Sequence, residues 1–256
     1  MKLVKVCAPV AAAAVLAVGG FMFSNQTRDA FAGAPTAANA SVEQAAAHPE
    51  PSLPSPGNGT IPGFDELIGS LVVVDELPEI SGYERDCGKG KGCVFGTAWT
   101  DKYEGALARN GCDTRNDVLG AQLVDVEFKP GTRDCKVVSG TLNDPYTGNV
   151  IDFTTANPQA VQIDHVYPLA RAWRAGASAW SSEQRVSFAN DTDLNLLAAE
   201  GKANQSKSDK GPDAWLPANA DFRCEYVTSY LTVASTYRLM VTVGDIQASR
   251  TACGLE

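Results

Sequence analysis

With 256 residues, 44% of them hydrophobic, the chain has enough apolar content for an ordinary globular core, either as one large domain or as two small ones. Its formal charge of −9 excludes the broad basic footprint that phosphate binding normally leaves. The acidity is uneven, however: residues 33–80 hold seven acids and no Lys or Arg, whereas residues 81–256 carry 18 bases against 22 acids, so any nucleic-acid affinity must come from a local patch.

In chain order, Lys2 and Lys5 precede an apolar run from Val6 to Phe23, and Ala30-Phe31-Ala32 offers a small-x-small cleavage pattern. Residues 1–32 therefore read as an export signal; an uncleaved membrane anchor is the alternative, and either leaves the remainder outside the cell. Residues 33–60, rich in Ala, Pro, Ser and Gly, cannot bury enough surface to offset chain entropy and read as a disordered linker. Residues 61–80 form an acidic leader. Within it the spacing of Phe64, Leu67, Ile68 and Leu71 predicts a short helix, Val72-Val73-Val74 continue it or begin a strand, and a loop follows around Pro78.

Residues 81–256 are expected to be one domain. Gly82 to Gly96 is a glycine-rich loop with Lys89 and Lys91 at its tip, either a stapled surface loop or one that contacts phosphate. Leu123 to Phe128 and Lys136 to Leu142 alternate as strands about a Pro130-Gly131 turn, and a second turn at 143–148 returns the chain through Phe153. Val161 to Val166 predicts a strand, Leu169 to Ala175 a helix with Pro168 at its start, Ser181 to Phe188 a capped helix, and Asn195 to Ala199 a buried strand. Gly201 to Ser208 is helix-compatible, Tyr226 to Tyr237 predicts a helix, and Leu239 to Val243 a short strand. Trp173, Trp180 and Trp215 are read as core rather than base-stacking groups.

Seven cysteines are present, and Cys7 falls inside the signal. The remaining six favour disulfides in an oxidising compartment, because no CxxC pair suggests zinc. Six cysteines allow 15 connectivities, which the sequence leaves open; order along the chain favours Cys87 with Cys93, Cys112 with Cys135 and Cys224 with Cys253.

Of the two histidines, His48 lies in the linker, so any imidazole chemistry falls to His165. Phosphodiester hydrolysis needs an activated water, neutralisation of phosphate charge and help for the leaving oxygen, which one imidazole and one metal supply. Successive strand residues point to opposite faces, so Asp164 holds a metal beside a working His165 only if the strand ends there, as Pro168 predicts.

Asp164-His165, then Asn195, then Asn204-x-x-Lys207 resembles the HNH or ββα-metal nuclease motif. Gly111-Cys112-Asp113-Thr114-Arg115-Asn116-Asp117, Ser139-Gly140-Thr141-Leu142, Asp144-Pro145-Tyr146-Thr147-Gly148, Phe188-Ala189-Asn190-Asp191 and Trp215-Leu216-Pro217 extend the similarity to secreted HNH endonuclease family proteins. These are related to the C-terminal domain of GmrSD-type restriction enzymes, and the resemblance spans roughly residues 82–253. It implies an α+β fold: a ββα-metal core with an added small antiparallel sheet, stapled by disulfides. It also implies His165 as general base, Asp164 and Asn204 as metal ligands, Asn195 as the residue orienting the histidine loop, and Lys207 facing substrate. Arg115 is open between clamping phosphate and a structural role beside a disulfide. Asn204 stands where many such motifs have a second histidine ligand, so Mg²⁺ is expected, Mn²⁺ next, ahead of zinc.

The expectation is a secreted, monomeric, metal-dependent endonuclease acting on nucleic acid, DNA before RNA, with no stable membrane association once the signal is cleaved. A non-catalytic extracellular nucleic-acid-binding module that retains the fold is the alternative. With an ordinary imidazole, cleavage is expected to rise as pH passes about 6.5.

Overall fold

The computed structural model describes residues 63–255. The export signal, the linker, the first two residues of the leader, Cys7 and His48 lie outside the described residues. Among the described residues no helix is long and apolar enough to cross a membrane.

Phe64–Gly69 (α1) is the short leader helix, and Phe64 is buried in the main core. Val72–Val74 (β1) follows as a strand. Thr114–Gln122 (α2) starts where the Asp113 carboxylate accepts the backbone N–H of Asn116 at 3.0 Å, which satisfies a helix-end donor. The mixed charges of 113–117 are thus a cap and first turn. Val124–Phe128 (β2), Val137–Asn143 (β3) and Val150–Thr154 (β4) form the antiparallel meander expected from the two turn signals.

Val161–His165 (β5) and Leu196–Glu200 (β6) make an antiparallel pair with Asp164 opposite Leu197 and His165 opposite Leu196. Between them lie Leu169–Arg174 (α3), led in by Pro168, and Ser182–Ala189 (α4), whose Ser181 and Gln184 form a reciprocal capping box. Gly201–Lys207 (α5) follows β6 without a loop and packs on both β5 and β6. The close approach depends on Gly201, where a Cβ would stand 2.0 Å from the Gln159 carbonyl oxygen.

The central helix is Arg223–Tyr237 (α6), which buries Tyr226, Val227, Tyr230, Leu231, Val233 and Ala234 along one side. Met240–Thr242 (β7) pairs in parallel with β1. The chain then enters Val243–Ala252 (α7), a helix the sequence reading omits. Its signal is the capping box of Thr242 and Asp245, disguised by Gly244 in the first turn. The parallel β1–β7 pair is an addition to the small antiparallel sheet that was expected.

The core has two clusters. One gathers around α6 with Phe64, Phe95, Tyr167, Trp173 and Phe188. The other lies between α2, β3, β4 and the β5–β6 pair, with Val118, Leu119, Leu142, Phe153, Val161, Ile163, Leu196 and Ala198. Trp173 is buried in the first cluster, with Trp180 and Trp215 packed against it, as expected for core tryptophans. The disulfides join Cys87 to Cys93, Cys112 to Cys135 and Cys224 to Cys253, in the order read from the sequence.

Candidate functional site

The alternation of β5 builds the site. Val161 and Ile163 enter the second core cluster, so Gln162 and Asp164 face the opposite way, towards α5. Asn204 and Lys207, three apart and so on one side of α5, meet Gln162 and Asp164, two apart and so on one face of β5. Asn204 Nδ2 donates to Gln162 Oε1 at 2.9 Å. Lys207 Nζ donates to Asp164 Oδ1 at 3.1 Å, lies 3.0 Å from Oδ2, and donates to the His165 carbonyl at 2.8 Å. The Tyr146 hydroxyl donates to Asp164 Oδ2 at 2.5 Å.

The Asn-x-x-Lys spacing therefore matches the strand it packs on. It also corrects one expectation. Lys207 is 0% exposed, so its ammonium faces the carboxylate of Asp164 rather than substrate. Asp164 is itself 4% exposed. Burial raises its carboxyl above the usual range and lowers the Lys207 ammonium, so each ion's presence offsets the cost of burying the other.

His165 takes the other face, at the end of β5. Its ring stacks on Trp99, with centroids 5.8 Å apart and planes at 13°, and Nε2 lies 2.9 Å from the Ala189 carbonyl oxygen at the end of α4. A carbonyl only accepts, so Nε2 carries the proton and Nδ1 keeps the lone pair. Burial, followed by the field of the Arg85 guanidinium, pushes the imidazole down to about 3. It is thus neutral through the physiological range, which overturns the expected transition near 6.5.

After His165 the chain turns out of the sheet, and its freed backbone groups need partners. The Asn195 carbonyl accepts from Val166 N at 2.8 Å, and its Oδ1 accepts from Tyr167 N at 2.8 Å. Asp164, His165 and Asn204 line one cleft of about 390 Å³, with Tyr83, Arg85 and Asp209 on its other walls.

Arg115 is not on this cleft. Its guanidinium donates to the Pro158 and Val161 carbonyls at 3.2 and 3.0 Å and lies over the Phe153 ring, so the structural of the two open readings describes it. Three site neighbours escaped the sequence reading. Tyr146 sits in a turn that carries part of the family resemblance but is given no role there, while Arg85 and Trp99 lie far upstream with no local pattern marking them.

Residues 113–244 match the family of GmrSD restriction endonucleases, C-terminal domain. The chain belongs to this family. The matched segment carries Asp164, His165, Asn195, Asn204 and Lys207, whereas Arg85 and Trp99 precede it. A protein of Arthroderma benhamiae described as "Uncharacterized secreted protein" is 33% identical over 199 residues, which cover 77% of this chain and 84% of that protein. No solved structure matches the chain. For the GmrSD C-terminal domain family the reaction class is endonucleolytic in general.

Proposed function

We propose that the chain is a secreted HNH-type endonuclease that hydrolyses phosphodiester bonds of nucleic acid, DNA before RNA, with His165 as general base. The observation that carries the reading is the placing of the His165 imidazole, fixed by Ala189 and Trp99, in the same cleft as the Asp164 carboxylate. In this reading the water oxygen bonds to phosphorus, the ester bond to the leaving oxygen breaks, and the water proton passes to His165 Nδ1. Asn195 fixes the backbone just after the base, so the ring's position is inherited from the turn. Lys207 and Tyr146 position Asp164 and do not touch substrate.

β5, β6 and α5 are, in the same reading, the ββα-metal core. Among the described residues no group of three or more His, Cys, Asp or Glu is placed to hold a metal. The donors in this reading are oxygens of Asp164, which Lys207 and Tyr146 already engage, and of Asn204; an oxygen-only set suits a hard cation, Mg²⁺ or Mn²⁺, rather than zinc. Such an ion, when bound there, would neutralise the phosphate and the leaving oxygen.

The division of the chain into a signal (1–32), a linker (33–60), a leader (61–80) and a monomeric nuclease domain (81–256) belongs to the same proposal, with Phe64 docking the leader on that domain. Secretion is supported by the description of the Arthroderma benhamiae relative. A second reading, a nucleic-acid-binding module without catalysis, draws on the ion pair by which Lys207 already occupies Asp164.

The purified chain is to be incubated with plasmid DNA and with RNA, in Mg²⁺ and in chelator, beside His165→Ala. Cleavage that needs Mg²⁺ and is lost in the folded variant is the expected result. Wild-type cleavage by His165→Ala overturns the role of the base, and binding without cleavage by the wild type selects the second reading.

A further inference from the structure

Upstream of the segment that matches the family, residues 83–99 run past His165: Tyr83 and Arg85 line the cleft, and Arg85 with Phe95 to Trp99 lines a small pocket that also touches the imidazole. Two clamps hold this strap. On the aromatic side, Phe95 is buried against Trp173 and Phe188, and Tyr83 packs on Phe95 and Trp173 with centroids 6.3 Å from each. On the covalent side, the Cys87–Cys93 disulfide closes the turn, and Val94 N donates to the Glu84 carbonyl at 3.0 Å.

Arg85 lies between the clamps. It lines the cleft that holds Asp164 and Asn204, and also the small pocket on the other side of His165 that Trp99 and Asn190 close. The residue is exposed, and its guanidinium has no hydrogen-bond or ion-pair partner among the described residues. The other charges of the cleft are matched: Asp164 with Lys207, and Asp209 with Arg174 at 2.9 Å. Lys91, at the loop tip, is taken by Glu84 at 3.0 Å. The cleft of a chain with formal charge −9 therefore presents one unmatched cation, beside the imidazole.

We propose that Arg85 is the residue that receives the substrate's backbone phosphate, held over His165 by a disulfide-closed strap that lies outside the family-matching segment. A guanidinium offers paired donors to phosphate oxygens, and one that breaks no internal bond to do so forfeits no existing contact. The proposal rests on the nuclease reading and assigns the phosphate contact that neither Lys207 nor Arg115 makes.

The test uses Arg85→Ala and Arg85→Lys in the full chain, with thermal unfolding to confirm that both fold as the wild type does. Plasmid cleavage in Mg²⁺ gives kcat and KM separately. Binding of a short fluorescein-labelled DNA duplex in chelator, over a series of salt concentrations, gives an affinity that needs no catalysis. For Arg85→Ala a rise in KM of about tenfold is expected, with weaker duplex binding and a salt slope shallower by about one. Arg85→Lys, which keeps a point charge, should recover the slope but only part of the affinity. Unchanged KM, affinity and slope in Arg85→Ala overturn the proposal. A wild type that binds the duplex through Arg85 but cleaves neither DNA nor RNA sinks the hydrolytic reading and leaves the phosphate contact standing.

Discussion

Replacing Lys207 with Met keeps most of the side-chain volume and removes the ammonium from a site with 0% exposure. Asp164 then retains only the Tyr146 hydroxyl as a side-chain donor, and the His165 carbonyl loses its 2.8 Å partner. Breaking one partner of a buried ion pair costs about 3–5 kcal/mol. For a domain of this size each kcal/mol lowers Tm by about 2–4 °C, so Lys207→Met should melt roughly 6–20 °C below the wild type by scanning calorimetry at neutral pH. The sign of the pH dependence is also fixed. Without Lys207 the Asp164 carboxyl is raised further above its unfolded value near about 3.9, so the folded state holds the proton more tightly. The deficit relative to wild type is therefore smallest in acid and grows as pH rises from the wild-type folded value of Asp164 to the variant's higher one. Asp164→Asn in the Lys207→Met background should recover much of the loss, since a neutral amide still accepts from Tyr146. A variant that melts within 2 °C of wild type, or a double variant with no recovery, would refute the idea that Lys207 serves to compensate Asp164.

With His165 pushed down to about 3, kcat/KM should be flat from pH 5 to 8, and an inflection near 6.5 in the free enzyme would show that the imidazole is not buried as described. Because this folded value lies below the unfolded one, the same histidine contributes stability that is complete above about 6.5 and is lost as pH falls towards about 3; urea midpoints across that window in wild type and His165→Ala should differ in slope. Arg115→Met should lower stability by about 2 kcal/mol through two abandoned carbonyls while leaving KM for DNA unchanged, and a KM effect would return Arg115 to the substrate. Replacing Cys112 and Cys135 together by Ser should cost about 3 kcal/mol in denaturant unfolding, as expected for closing a loop of this length, and an unchanged midpoint would mean that α2 and the β2–β3 turn hold together without it.

Local signals in the sequence survive folding where one short segment decides the outcome. The Ser181–Gln184 box, the Pro130-Gly131 turn and the strand that ends before Pro168 are of this kind, and they place His165 at a strand end. Asn204 and Lys207 are legible as a pair through the resemblance to the HNH motif, and their meeting with Gln162 and Asp164 shows only once α5 packs on β5. The direction in which Lys207 points is not legible, since a lysine three residues from an asparagine looks the same whether it meets solvent or a buried carboxylate. Arg85 and Trp99 were silent because their importance comes from a chain crossing that no local pattern records, and β1 finds its partner only in β7. In α7 the glycine at position 244 hid a helix whose start is nonetheless written in Thr242 and Asp245.

The pairing of Val72 with Met240 has a kinetic side. A chain made or threaded from its N-terminus presents β1 early, but the strand that completes it arrives only after the whole β5–β6–α5 unit and α6 have emerged. Long-range closure of this sort comes late in folding, after the local contacts it depends on. The helix carrying Phe64 packs on α6, so neither α1 nor β1 has its partner until residues 223–242 have been made.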